Sequence, residues 1–144
     1  MEEEKINILI VEDEKSHADL ICHSFESATT PVSMSRVRNL NEARASIAET
    51  IPDMVISDYL LPDGKGTELI PANKEEHPYP IVIMTSHGDE KVAVAAMKAG
   101  AFDYVVKSEG VLDDMPNVCE KILLEWNYTI RHKIIEKEFT ESEA

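Results

Sequence analysis

With 144 residues, 43% of them hydrophobic and 29% charged, the chain suits one globular domain, residues 1–144, and leaves little for a second. A formal net charge of −14 argues against direct nucleic-acid binding, because phosphate repels such a surface and no basic stripe offsets it. No apolar run approaches the ~20 residues needed to cross a bilayer, and the acidic opening Met1–Lys5 is unlike a signal peptide. The expectation is therefore a cytoplasmic protein without membrane insertion. Cys22 and Cys119 lie far apart, lack metal-ligand spacing and are expected as reduced thiols.

Ile6–Val11 is a nearly continuous apolar run, as befits a parallel strand buried on both faces. It ends in Glu12-Asp13-Glu14. A helix follows over Lys15–Ser27, with Ala18, Ile21, Cys22 and Phe25 at helical spacing and Glu14 or Ser16 as its cap. Val32–Val37 alternates like an edge strand. Asn39 or Asn41 caps the next helix, which runs to Glu49 before Pro52. Met54–Asp58 is a third strand, closed at once by the turn Pro62-Asp63-Gly64. A short helix, kinked by Pro71, is predicted over Gly66–Glu75. Ile81–Thr85 is the fourth strand, Glu90–Lys98 a helix stopped by Gly100, and Asp103–Lys107 the fifth strand. A last helix from Asp113 or Asp114 reaches Lys137, and Glu138–Ala144 is expected to fray. Strands alternating with helices indicate a three-layer α/β domain around a parallel five-stranded sheet, its core over residues 6–126 and an extended helix and acidic tail over 127–144.

Each of these strands delivers polar groups at its carboxyl end, where open α/β sheets bind ligands. Glu12, Asp13 and Asp58 arrive together there. Two carboxylates at ~4 Å repel by about 4 kcal/mol at an effective dielectric of ~20, so the cluster calls for a positive charge. Mg²⁺ suits an all-oxygen set of this kind. Lys107 adds a fixed cation and Thr85 a hydroxyl. The combination suits phosphoryl transfer to a carboxylate, giving an aspartyl phosphate. Singly, each residue has a plainer reading: a solvated helix start, a turn aspartate, a helix cap, a surface lysine. Their joint occurrence at strand ends is what points to a site.

The segments Leu9–Glu14 (LIVEDE), Ser57–Asp63 (SDYLLPD), Ile83–Ser86 (IMTS) and Gly100–Lys107 (GAFDYVVK) resemble the receiver domain of two-component response regulators, of the stand-alone type. The resemblance covers about residues 6–126 and implies the (βα)5 flavodoxin-like, doubly wound fold with strand order 2-1-3-4-5. It implies that Asp58 accepts a phosphoryl group from a sensor histidine kinase or a histidine phosphotransfer protein. Glu12, Asp13, Asp58 and the backbone carbonyl of Leu60 would hold Mg²⁺. Thr85 and Lys107 would contact the phosphoryl group, and Tyr104 would be the aromatic switch that follows it inward. The output surface toward a downstream protein target would be the fourth helix, fifth strand and fifth helix, here Glu90–Lys98, Asp103–Lys107 and Asp114–Lys137.

Ser108 departs from the family, which has proline after the lysine in a cis peptide, so the Lys107–Ser108 geometry is open. His87 is a candidate modulator of acyl-phosphate lifetime, with a plain loop histidine as the alternative. His17, His23, His77 and His132 read as surface residues. Within these 144 residues no output domain is expected. The apolar Ile130, Ile134 and Ile135 offer either a seam for a homodimer or partner helix, or the end of a helix packed on its own domain. Two other functions compete: a receiver-shaped adaptor that is never phosphorylated, and a phosphohydrolase using Asp58. The second is disfavoured because Leu60 stands where haloacid-dehalogenase-like phosphatases need another acid.

Overall fold

The computed structural model describes residues 5–28, 31–72, 78–86 and 90–143. Five parallel strands form one sheet in the order β2-β1-β3-β6-β7: β1 (Ile6–Val11), β2 (Val32–Val37), β3 (Met54–Asp58), β6 (Ile81–Thr85) and β7 (Asp103–Val106). In sheet-strand numbering this is 2-1-3-4-5, the expected order. A small antiparallel hairpin, β4 (Leu60–Leu61) with β5 (Gly64–Lys65), follows β3.

Alternation along β1 divides the interior into two cores. Ile8 and Ile10 point to one side with Ile21, Met54, Ile56, Met115, Cys119 and Ile122, against helices α1 (Lys15–Ser24) and α5 (Met115–Glu143). Leu9 and Val11 point to the other with Leu40, Ala43, Val55, Ile83 and Ala96, against α2 (Leu40–Glu49) and α3 (Glu90–Ala99). Period-two strands covered on both faces thus leave only their ends open to solvent. Cys22 and Cys119 are free thiols, as expected, and burial pushes that of Cys119 up to about 12.

Several boundaries differ from the sequence reading. α1 stops at Ser24 and tightens into a 3-10 turn over Phe25–Ser27. Between Gly66 and Glu75 there is a 3-10 turn at Gly66–Leu69 rather than a helix, and residues 73–77 lie outside the described ones. Pro71 explains why the turn does not extend, since it lacks the amide a helix needs. A short helix the sequence reading lacks, α4 (Glu109–Asp113), precedes the last one, α5, which starts at Met115 close to the expected Asp113 or Asp114 and continues to Glu143 instead of fraying after Lys137.

Gly100 does end α3, with its φ at 109°. The Gly100 and Ala101 amides donate back to the carbonyls of Met97 and Ala96, the paired closure typical of a left-handed helix stop. Asn39 is the cap of α2, its Oδ1 accepting from the Glu42 amide at 2.8 Å. Asp63 reinforces it from the β4–β5 hairpin: its two oxygens accept from the Leu40 and Asn41 amides at 2.8 and 3.0 Å. Those bonds hold its carboxyl below the usual range. The Asp63 that reads as a turn residue in sequence therefore ties α2 to the loop beyond β3.

Candidate functional site

Parallel pairing sets the ends of β1, β3, β6 and β7 side by side, with Val11 level with Ser57, Asp58 with Met84, and Thr85 with Val106. Residues just beyond those positions must converge. Lys107, one residue past β7, is anchored by its amide donating to the Thr85 carbonyl at 2.8 Å. Its ammonium lies 2.8 Å from Asp58 Oδ2 and 2.6 Å from Glu12 Oε2. The Asp58 contact is an aligned hydrogen bond, whereas the Glu12 contact is an ion pair without hydrogen-bond alignment. Glu12 is buried, and its other oxygen accepts from the Glu14 amide at 3.0 Å.

Burial raises the Glu12 pKa, with Lys107 and the Glu14 amide pulling the other way and the charge of Asp58 adding to the rise. For Lys107, burial alone would lower the pKa, but Asp58 and Glu12 together outweigh it and the net shift is upward. The ammonium is thus fixed as a cation between carboxylates from two strands.

Carboxylate oxygens of Glu12, Asp13 and Asp58 lie within 4.8 Å of one another. One lysine does not balance three carboxylates, and hard oxygen donors at this spacing fit a divalent cation such as Mg²⁺. Thr85 supplies a second sign of an incoming polar group. It is buried, and its Oγ1 finds no hydrogen-bond partner among the described residues. A buried hydroxyl without a partner costs about 1–3 kcal/mol, a cost that an oxyanion beside Lys107 would remove.

Close backbone packing holds Asp58 in place. The Tyr59 amide donates to the Met84 carbonyl at 3.0 Å, and the Gly66 amide to the Tyr59 carbonyl at 2.9 Å. A Cβ on Gly66 would run into the Asp58 carbonyl and Ser57 Oγ, so only glycine lets the hairpin fold back this tightly. Leu60 sits in β4 two residues beyond Asp58, its side chain turned to solvent.

Tyr104 is not brought to this cluster. It pairs in register with Ile83, below Thr85, and its side chain is exposed. His87 lies outside the described residues. His17, read from sequence as a plain surface residue, is corrected here. Its Nδ1 lies 3.4 Å from Lys107 Nζ and 2.6 Å from Glu14 Oε2. A bare Nδ1 accepts from the ammonium and a protonated one donates to Glu14, so the imidazole serves one partner at a time. Its place on the first turn of α1, close after Glu12-Asp13, was the available signal. Ser108 also gains a role. Every peptide bond among the described residues is trans, and Ser108 Oγ caps α4 by accepting from the Val111 amide at 3.2 Å. It starts a helix where the family's proline would stand.

The family model for the response regulator receiver domain matches residues 8–117. The chain belongs to that family. Among curated relatives, it is 40% identical over 126 residues to the methanogenesis regulatory protein FilR1 of Methanothrix harundinacea, covering 83% of this chain and 28% of that protein. It is 36% identical over 99 residues to the DNA-binding transcriptional regulator NtrC of Salmonella typhimurium, covering 68% of this chain and 19% of that one. The chain thus spans under a third of the length of these relatives. Among solved structures, it is similar to the receiver domain of NtrX from Brucella abortus, with TM-score 0.67, 28% identity and coverage of 81% and 97%. Receiver domains are signalling phosphoacceptor domains that bind Mg²⁺ at an acidic pocket, and the acidic cluster here has the residues for it. The described residues contain no helix long and apolar enough to cross a membrane.

Proposed function

We propose that this receiver accepts a phosphoryl group on Asp58 from a sensor histidine kinase or a histidine phosphotransfer protein, with Mg²⁺, and changes its protein contacts as a result. The observation that carries this is the Lys107 ammonium held between Asp58 and Glu12, with the unpartnered hydroxyl of Thr85 nearby in the fold. In the step itself a bond forms between the Asp58 carboxylate and phosphorus as the donor's P–N bond breaks, and the departing imidazole takes up a proton. Lys107 and the Thr85 hydroxyl meet the phosphoryl oxygens. Glu12, Asp13, Asp58 and the Leu60 carbonyl would hold Mg²⁺, which supplies charge neutralisation. Hydrogen-bond donors already fixed at the place where charge develops need little reorganisation.

The output surface is the face made by α3, β7 and α5, with Tyr104 as the aromatic switch. Val94, Met97 and Tyr104 are large apolar side chains left exposed on the adjacent α3 and β7, which suits docking of a downstream protein. Direct contact of this receiver with nucleic acid is not part of the proposal, given the net charge of −14. Against the adaptor reading, Lys107 reaches Asp58 and Glu12 with Ser108 in place of the family's proline. The exposed, apolar Leu60 offers no second acid for a phosphohydrolase.

Acetyl phosphate with Mg²⁺ should add one phosphoryl group, read by intact mass. The adduct should vanish in Asp58→Asn and when Mg²⁺ is chelated. No adduct from acetyl phosphate or from a phosphorylated histidine phosphotransfer protein would sink the reading.

A further inference from the structure

α5 outruns the domain it covers. Among its described side chains the last buried one is Ile122, followed by the edge-on contact of Trp126 with Phe102, ring centroids 5.3 Å apart, and the half-buried Thr129 and Ile130. The helix nevertheless continues to Glu143, 29 residues in all, or about 43 Å at 1.5 Å per residue. That length leaves room for a partner along the helix.

What fits is written on its outer side. Opposite the buried Met115, Cys119 and Ile122, helical periodicity aligns Asn117, Glu120, Leu124, Tyr128 and Arg131, all exposed. Leu124 and Tyr128 are 65% and 71% exposed, so the middle of this stripe is apolar and turned to solvent. Its charge changes sign along the helix, acidic at Glu120 and basic at Arg131. These two cannot pair within one chain, since eleven residues separate them by about 16 Å. Beside the acidic half, α5 and the turn after α1 leave a groove of about 500 Å³ whose walls include Phe25, Ala28, Glu120, Leu123 and Leu124.

We propose that this stripe binds the same stripe of a second copy, with the two α5 helices antiparallel about a twofold axis near Glu125 and Trp126. In that register Glu120 faces Arg131 of the second copy, twice over by symmetry, and Leu124 packs against the region of Asn127 and Tyr128 of the second copy. Arg131 of the second copy then reaches over the groove beside α1. A parallel pair would bring Glu120 toward Glu125 of its mate, like charge on like. Because the stripe is opposite the core face, neither domain obstructs the other. An isologous contact of this kind closes on itself as a dimer. The proposal does not depend on phosphorylation of Asp58.

The test is sedimentation velocity of the whole chain over a range of concentrations, for wild type, Glu120→Arg, Arg131→Glu and the double reversal. Wild type should dimerise. Each single reversal should weaken the dimer by roughly tenfold or more, and the double should return to within a few-fold of wild type. Both positions are solvent-facing, so far-ultraviolet circular dichroism should be unchanged throughout. Leu124→Glu provides a second route, expected to give monomer without touching either charge. A wild-type monomer at every concentration would overturn the proposal. So would a dimer indifferent to these changes, or one that the double reversal fails to restore.

Discussion

The strand ends and the outer stripe of α5 both carry opposed charges, but they differ in what holds those charges. At the strand ends, Glu12, Lys107 and Asp58 have side chains only 0, 13 and 17% exposed, on backbone pinned by the sheet. On α5, Glu120 and Arg131 stand in solvent on one helix, with no cross-strand neighbour to fix them. Burial makes the first group costly to disturb and able to act on a bound phosphoryl group. Exposure makes the second nearly inert within one chain and informative only between chains. The same residue types are therefore suited to the proposed chemistry in one place and to the proposed recognition in the other.

The widest separation between the two regions should come from Lys107→Met. Removing the ammonium leaves buried Glu12 beside Asp58 without compensation, and a loss of about 3–5 kcal/mol is expected in urea unfolding at pH 7. A loss below 1 kcal/mol would mean that the ion pair is solvated and the contrast with α5 false. Next in size, Gly66→Ala should cost about 1–3 kcal/mol, because the new methyl group meets the Asp58 carbonyl and Ser57 Oγ. It should also slow formation of the acetyl-phosphate adduct, which a purely local loop effect would leave alone.

Glu12→Gln sharpens the comparison through pH. Burial raises the Glu12 pKa above its ordinary 4.5, so the folded state holds that proton more tightly than the unfolded chain does. The contribution of Glu12 to stability is then fully present below 4.5 and is lost as pH rises through the folded-state value. In the metal-free protein the neutral Gln should be more stable than wild type at pH 7, with the advantage gone below pH 4.5. Thermal unfolding across that range checks the sign. The smallest effect belongs to α5: Glu120→Arg should leave the stability of dilute protein within about 0.5 kcal/mol of wild type. A larger loss would place Glu120 in the fold rather than at an interface.

Much of this molecule was legible before any coordinates. Ile6–Val11, Met54–Asp58 and Ile81–Thr85 are apolar runs whose ends announce Glu12, Asp58 and Thr85, because a strand buried on both faces can release polar groups only at its tips. Gly100 likewise declared a helix stop through its backbone preference, and Asn39 or Asn41 a helix cap, of which the structure uses Asn39. Less legible were the groups whose partners lie far along the chain. Asp63 looked like turn chemistry, yet it caps a helix that starts 23 residues earlier. His17 looked like an exposed histidine, yet it stands against Lys107, 90 residues away.

Sequence alone determined the five strands of the main sheet, most of the helices between them and the acids at the strand ends, since hydrophobic period and turn preference are local properties of the chain; the β4–β5 hairpin, the 3-10 turn at Gly66–Leu69 and the short α4 escaped it. Tertiary structure alone decided that Lys107 bridges Asp58 and Glu12, that Thr85 keeps an unpartnered hydroxyl among the described residues, and that Tyr104 faces outward. It also decided which side of α5 is left for a partner. Such outcomes depend on strand register and on how helices lean on the sheet. Those are set by the packing of the whole core at once, and no short window of residues contains them.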